Sequence, residues 1–200
     1  MTKKDFEVLE NYMLEQAKDS AHDKNHMYRV LNSAIFIAKS FGDVDLDVLI
    51  AACLLHDIAR GEQAENPKIC HAELGGEMAY NFLLANNWGK SKALHVKECI
   101  SSHRYRGDNM PESIEAKILF DSDKLEAAGA IGVARTLVYQ GQEGLELSEF
   151  FKEYNYKLKK VYDLFFTEKA KEIALKRQKS AEDFYNALFL ELNENYEWGR

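Results

Sequence analysis

At 200 residues the chain is long enough for one domain with a full hydrophobic core, without disulfide or metal staples. Apolar residues at 46% and charged residues at 30% exclude a disordered chain, and a net charge of −7 argues against coating a nucleic-acid polymer. Three distant cysteines (Cys53, Cys70, Cys99) argue against a disulfide framework or zinc ribbon. No apolar run has transmembrane length and the N-terminus has no signal core, so a cytoplasmic protein without a membrane partner is expected.

Two prolines and eleven glycines leave few breaks, so long helices are expected. Lys4 to Lys18 places Phe6, Leu9, Tyr12, Met13 and Ala17 at helical spacing. Ser20-Ala21-His22-Asp23 is a variant capping box. The helix it opens runs to about Phe41, with Val30, Ala34, Ile37 and Phe41 in one stripe. His26 heads that stripe and so faces inward, with Arg29 its i+3 neighbour. His22 reads as surface or as a neighbour of the inner site.

After Gly42-Asp43, Asp45-Leu46-Asp47 caps a helix that ends in Ile50-Ala51-Ala52-Cys53-Leu54-Leu55-His56-Asp57. Six apolar residues in a row are read as a helix buried on every side. Burying His56 and Asp57 at its end costs several kcal/mol, on the order of that for unpaired polar groups, unless something binds them. Arg60 to Cys70 reads as a loop, with Gly61 and Pro67. A helix then opens at about His71 and runs through Leu74, Met78, Phe82 and Ala85 to a turn at Asn86-Asn87-Trp88-Gly89.

Val96, Cys99, Ile100 and His103 follow at i, i+3, i+4 and i+7, so His103 ends another apolar stripe. His95, about 80° away on the wheel, reads as surface. A basic loop from Arg104 to Asn109 is closed by Pro111 at a helix start. Ile114 to Ala134 reads as one central helix, apolar nearly all round, into which Asp121 and Asp123 are set. Helices at about Ser148–Phe166 and Thr167–Asn193 complete the chain, with inner faces Tyr154, Leu158, Val161, Tyr162, Phe165 and Phe184, Leu188, Leu192. No strand alternation, repeat or linker is visible, so the fold class is all-α.

Four of the six histidines, His26, His56, His71 and His103, thus fall at the ends or heads of apolar stripes. Asp57 and one of Asp121 or Asp123 are likewise set in apolar sequence. Each alone is unremarkable as a core residue with its own partner. One or two divalent cations would satisfy all six at once. Mixed imidazole and carboxylate ligation suits Mn²⁺, Fe, Co²⁺, Ni²⁺ or Zn²⁺ rather than an all-oxygen Ca²⁺ cage.

The order His26…His56-Asp57…Asp123 resembles the H…HD…D signature of the HD-domain superfamily of metal-dependent phosphohydrolases. His26-Met27-Tyr28-Arg29-Val30, Leu54-Leu55-His56-Asp57-Ile58-Ala59 and the segment Ile114 to Arg135 are similar to the motifs of its small, single-domain bacterial and archaeal branch. The likeness covers nearly the whole chain. It implies one HD-type helical bundle over residues 1–200, with a catalytic core at about 20–135 and a C-terminal helical pair at about 145–195. It chooses Asp123 as the ligand, leaving Asp121 to orient a ligand histidine, and adds His71 and His103 as the set of two-metal members. Some relatives lack those two histidines and hold one metal.

What the resemblance implies for function is hydrolysis of a phosphoester or phosphoanhydride bond of a nucleotide by metal-activated water. Mn²⁺ is the expected cation, with Fe, Co, Ni, Zn or Mg as substitutes. Asp57 is the expected catalytic residue, and Arg29, Arg60 and Lys124 the phosphate-binding ones. Ile58-Ala59-Arg60-Gly61 stands where stringent-response hydrolases carry acidic residues, which argues against alarmone hydrolysis. Two other readings belong to different classes: an HD-fold di-iron oxygenase and a non-catalytic nucleotide sensor.

Overall fold

The computed structural model describes residues 1–16, 24–105, 109–150 and 163–193. In chain order the described helices are α1 (Lys3–Gln16), α2 (Lys24–Ala38), α3 (Leu46–Leu55), α4 (Arg60–Glu65), α5 (His71–Ala85), α6 (Lys90–Ser102), α7 (Ile114–Lys124), a 3₁₀ turn (Leu125–Ala127), α8 (Gly129–Gln142) and α9 (Glu168–Leu192). No strand occurs among the described residues, so the all-α class holds.

The bundle is built around α3. Seven of its ten residues are buried, and it packs against α1, α2, α6 and α7. Each fully buried Val or Leu there contributes about 1.5–3 kcal/mol. Asp45 starts this helix as expected, its Oδ1 accepting from Asp47 N at 3.0 Å and Val48 N at 3.3 Å. The buried stripe of α2 is Val30, Ala34 and Ile37. Phe41 lies beyond the helix end and is 37% exposed, because α2 stops at Ala38.

The α5–α6 pair departs from the expected packing. The inner face of α5 is His71, Ala72, Gly75, Gly76, Ala79 and Leu83, while Leu74, Met78 and Phe82 are only partly buried. Small residues let the helices approach closely: a Cβ on Gly76 would lie 2.5 Å from Ser101 Oγ and 3.0 Å from the Lys97 carbonyl. That close antiparallel hairpin sets the first residue of α5, His71, beside the residue that ends α6, His103.

Two segments differ in secondary structure. Residues 60–65 form α4 rather than a loop, since Gly61 is the only poor helix former among Arg60, Glu62, Gln63, Ala64 and Glu65. The expected single helix from Ile114 to Ala134 is broken after Lys124 into α7, the 3₁₀ turn and α8. Gly129 has φ +68°, and a Cβ there would meet Arg177 Cβ at 2.6 Å. α7 starts at Ile114, three residues after Pro111, and Ser113 caps it, its side chain accepting from Ala116 N at 3.1 Å.

In α9 the buried residues are Ala170, Ala174 and Ala181. Phe184 and Leu192 are exposed at 41% and 48%, contrary to the expected inner face. Residues 151–162 lie outside the described residues, and with them the expected contacts of Tyr154, Leu158, Val161 and Tyr162; so do Ala17, His22 and the capping box around it, and residues 106–108 of the basic loop. Asp121 ties α9 to α7. Its carboxylate accepts from Phe166 N at 2.9 Å, Thr167 N at 2.7 Å and Thr167 Oγ1 at 2.6 Å.

Candidate metal centre

Helix ends deliver the site. His26 comes from the first turns of α2, His56 caps the C-terminus of α3, and Asp57 follows it. His71 opens α5, His103 caps α6, and Asp123 is the penultimate residue of α7. At these ends the chain has just left, or not yet entered, the regular ladder, so polar side chains turn in where a mid-helix position would bury backbone between them. All six come together.

The donors form two groups. His26, His56 and Asp123 offer ligand atoms within 4.8 Å of one another, and so do Asp57, His71 and His103. His26 and His56 bring their Nε2 atoms to 3.3 Å, as do His71 and His103. Asp57 stands between the groups. Its Oδ2 lies 3.8 Å from His26 Nε2 and 3.6 Å from His56 Nε2, and its Oδ1 lies 3.2 Å from His71 Nε2 and 3.5 Å from His103 Nε2. Asp123 Oδ1 lies 3.5 Å from His26 Nε2 and 4.0 Å from His56 Nε2.

Partners at the opposite ring nitrogen orient each imidazole. Nδ1 of His56 donates to the Cys53 carbonyl at 2.8 Å, and that of His103 to the Ile100 carbonyl at 2.6 Å. Nδ1 of His71 meets Gln63 Oε1, which also accepts from Arg104 Nη1 at 3.3 Å. Nδ1 of His26 meets Glu126 Oε2 at 3.3 Å. An acceptor at every Nδ1 puts the proton there and turns the Nε2 lone pair toward the centre.

Charge follows from burial. Burial pushes the imidazoles of His56 and His71 down to about 4, against the pull of Asp57, so both are neutral at pH 7. Burial alone would raise Asp57, but the surrounding imidazoles and Arg60 hold it well below the usual carboxylate range. Arg60 adds a permanent positive charge beside Asp57, its Nε donating to Oδ1 at 3.0 Å. Asp123 is held low in the same way against burial, with Lys124 Nζ 3.2 Å from its Oδ2.

Four lone-pair nitrogens and two carboxylates therefore face one another, and Asp57 Oδ2 is buried without a hydrogen-bond partner. A bond of about 2.0–2.1 Å from a cation to each of two imidazoles at tetrahedral angles sets the nitrogens roughly 3.3 Å apart. The observed spacing fits a divalent cation, and mixed imidazole and carboxylate donors suit one.

The HD domain family model matches residues 24–128. The chain belongs to the HD domain family. This HD chain is 30% identical to YpgQ of Bacillus subtilis over 168 residues, covering 80% of itself and 79% of that protein. It is similar to the crystal structure of a predicted HD superfamily hydrolase from an uncultured Thermotogales bacterium, with a TM-score of 0.69 and 32% identity over 94% of this chain and 92% of that one. It also resembles Bacillus subtilis YpgQ crystallised in complex with ADP, with a TM-score of 0.78 and 25% identity over 94% and 98%. An HD-superfamily hydrolase from Bacillus thuringiensis gives a TM-score of 0.75 at 28% identity over 96% and 99%.

Around the HD centre the three expected phosphate-binding cations are placed differently. Arg60 and Lys124 border the ligand carboxylates. Arg29 does not reach the metal-facing side: its Nε donates to Glu126 Oε2 at 2.8 Å, on the Nδ1 side of His26. Asp121, expected to orient a ligand histidine, is engaged instead with Phe166 and Thr167. His95 is not a surface residue but half-buried, its Nε2 3.2 Å from Glu115 Oε2.

Glu126, Gln63 and Arg104 are the residues that sequence reasoning missed. Glu126 had a signal: it follows Asp123 by three in the same apolar segment, and in the fold it is buried like five of the six ligands. Gln63 had none, because it lies in a stretch that reads as a loop.

Proposed function

We propose that this HD-superfamily hydrolase cleaves a phosphoester or phosphoanhydride bond of a nucleotide, using divalent cations held by His26, His56, Asp123, Asp57, His71 and His103. The observation that carries the reading is Asp57, whose two oxygens face two separate histidine pairs. The nucleotide rests on YpgQ of Bacillus subtilis, which has been crystallised with ADP. Mn²⁺ is the proposed cation, and two ions the proposed occupancy. The three cysteines are free, which fits a reducing, cytoplasmic compartment.

A bound cation supplies Lewis acidity toward a phosphoryl oxygen and makes water acidic enough to react at neutral pH. The chain's own residues do the rest. Asp57, ionised and with Oδ2 lacking a donor, orients the attacking water and accepts its proton. The water oxygen bonds to phosphorus as the P–O bond to the leaving group breaks. Arg60, which uses Nε on Asp57, and Lys124, beside Asp123, hold the phosphoryl oxygens and balance the charge that develops on them. Arg29 acts through Glu126 and His26 instead of on the substrate.

The test is a panel of nucleoside triphosphates, cyclic dinucleotides and generic phosphodiesters with Mn²⁺, Mg²⁺, Co²⁺, Ni²⁺ and Zn²⁺, products identified by mass. His56→Ala and Asp57→Ala are expected to abolish turnover and lose metal. Full activity in either variant overturns the site. Bound iron with a visible chromophore and O₂ uptake replaces hydrolysis by the di-iron oxygenase reading, and nucleotide binding without turnover by the sensor reading.

A further inference from the structure

Beside Glu126, which meets His26 Nδ1, the fold holds a cavity of about 400 Å³ between α2, α8 and α9. That size falls in the range of small-ligand pockets. Arg29, Asn32 and Ser33 line it from α2, Ile131 from α8, Arg177 from α9 and Glu126 from the 3₁₀ turn.

Its charge is unbalanced toward the cationic. Arg29 uses Nε on Glu126, and Arg177 uses Nη1 on the Leu125 carbonyl at 3.0 Å. Neither guanidinium has a further hydrogen bond or ion pair among the described residues. The one carboxylate of the lining, Glu126, is already shared among His26, Arg29 and Arg135, the last at 3.5 Å. Two planar forks with unused N–H groups match phosphate oxygens in pairs. Asn32 and Ser33 add neutral donors, and Ile131 an apolar wall.

The geometry points to a regulatory binding site in this cavity for a small phosphate-bearing molecule, its phosphate taken by Arg29 and Arg177. None of the six metal-facing residues lines this cavity, and its Glu126 meets His26 at Nδ1, the nitrogen opposite the metal-facing Nε2, so the cavity's ligand is distinct from a phosphate undergoing reaction. Arg29 also supplies the coupling, because its Nε shares Glu126 Oε2 with His26 Nδ1. A phosphate that draws the Arg29 guanidinium away leaves the Glu126 charge to His26 and the more distant Arg135, and makes His26 Nε2 a stronger ligand. Occupation of the cavity therefore tightens metal binding, and by linkage the metal tightens the phosphate ligand by the same factor. This coupling rests on the metal-centre reading above, whereas binding in the cavity does not.

The experiment is calorimetric titration of the Mn²⁺-loaded protein with AMP and, separately, with inorganic phosphate, in wild type, Asn32→Asp and Arg177→Gln. Asn32 is exposed, so the added carboxylate tests anion binding without burdening the fold. AMP is expected to bind a site that both variants weaken about tenfold or more, with unchanged Mn²⁺ stoichiometry. Inorganic phosphate is expected to compete for it. Saturating AMP is expected to tighten Mn²⁺ about fivefold in wild type and not in Arg177→Gln. Equal AMP affinity in all three proteins overturns the site. So does displacement of the AMP by a non-hydrolysable nucleoside triphosphate at one-to-one stoichiometry, which makes the cavity the far end of the substrate site. Should the protein bind no Mn²⁺, the metal-centre reading fails while the loss of AMP binding in the two variants still reports the cavity.

Discussion

Glu126 and His26 are 100 residues apart in the chain and 3.3 Å apart in the fold, Oε2 to Nδ1, both buried. The carboxylate fixes the tautomer that aims His26 Nε2 at Asp57 and Asp123. Glu126→Gln keeps the shape and removes the charge. Mn²⁺ affinity is expected to fall about tenfold or more, as for other partners that orient metal ligands, with the helical circular dichroism unchanged. Wild-type affinity in Glu126→Gln would show that the contact does not support the metal.

Asp57 faces two histidine pairs, so the two groups of donors are expected to separate by mutation. His71→Ala and His103→Ala each lower bound metal from two ions per chain to one, read by elemental analysis after dialysis. A wild-type stoichiometry of one makes the mononuclear branch of the family the right description.

Acid sensitivity of the metal-free protein follows from the histidines. His56 and His71 have folded values of about 4, below the unfolded value of about 6.5. Between those values the unfolded chain binds more protons than the folded one, so stability rises with pH there and is lost as pH falls from about 6.5 toward 4. Each costs the folded state roughly 3 kcal/mol once protonated, taking about 1.36 kcal/mol per pKa unit, a penalty absent at neutral pH and complete only below about pH 4. Asp57 and Asp123, held low when folded, add a further loss only below their unfolded values near pH 4. Urea midpoints measured in EDTA from pH 4 to 7 are expected to climb with pH, and His71→Ala to flatten the slope. A flat profile in wild type contradicts the burial of neutral imidazoles.

Asp121 and Asp123 are two residues apart and are expected to fail differently. Asp121→Ala leaves the amides of Phe166 and Thr167 without their acceptor and costs about 2–4 kcal/mol. In a chain of this size that lowers Tm by several degrees, with metal stoichiometry unchanged. Asp123→Ala is expected to do the reverse, losing metal with a smaller change in the Tm of the metal-free protein. Loss of metal in Asp121→Ala at full folding would assign the wrong aspartate to the site.

Periodicity alone told that the chain is all-α, that α3 is its buried centre, and that His26, His56, His71 and His103 lie at the ends of apolar stripes. It did so because each helix reports in its own sequence which face avoids water and where that face stops. The same signal is silent about what a helix packs against. The break after Lys124 puts Glu126 in the 3₁₀ turn beside His26, and Gly129 just past that turn packs against Arg177 from more than forty residues away. Gln63 beneath His71 depends on α4, a turn too short to show a period. Arg29 faces Glu126 and Asp121 faces Thr167 because of partners brought in from other parts of the chain, and no spacing within a helix carries that. The residue types able to bind a cation were legible locally, whereas which nitrogen of each imidazole turns inward was decided only by the acceptors that tertiary packing sets against the other one.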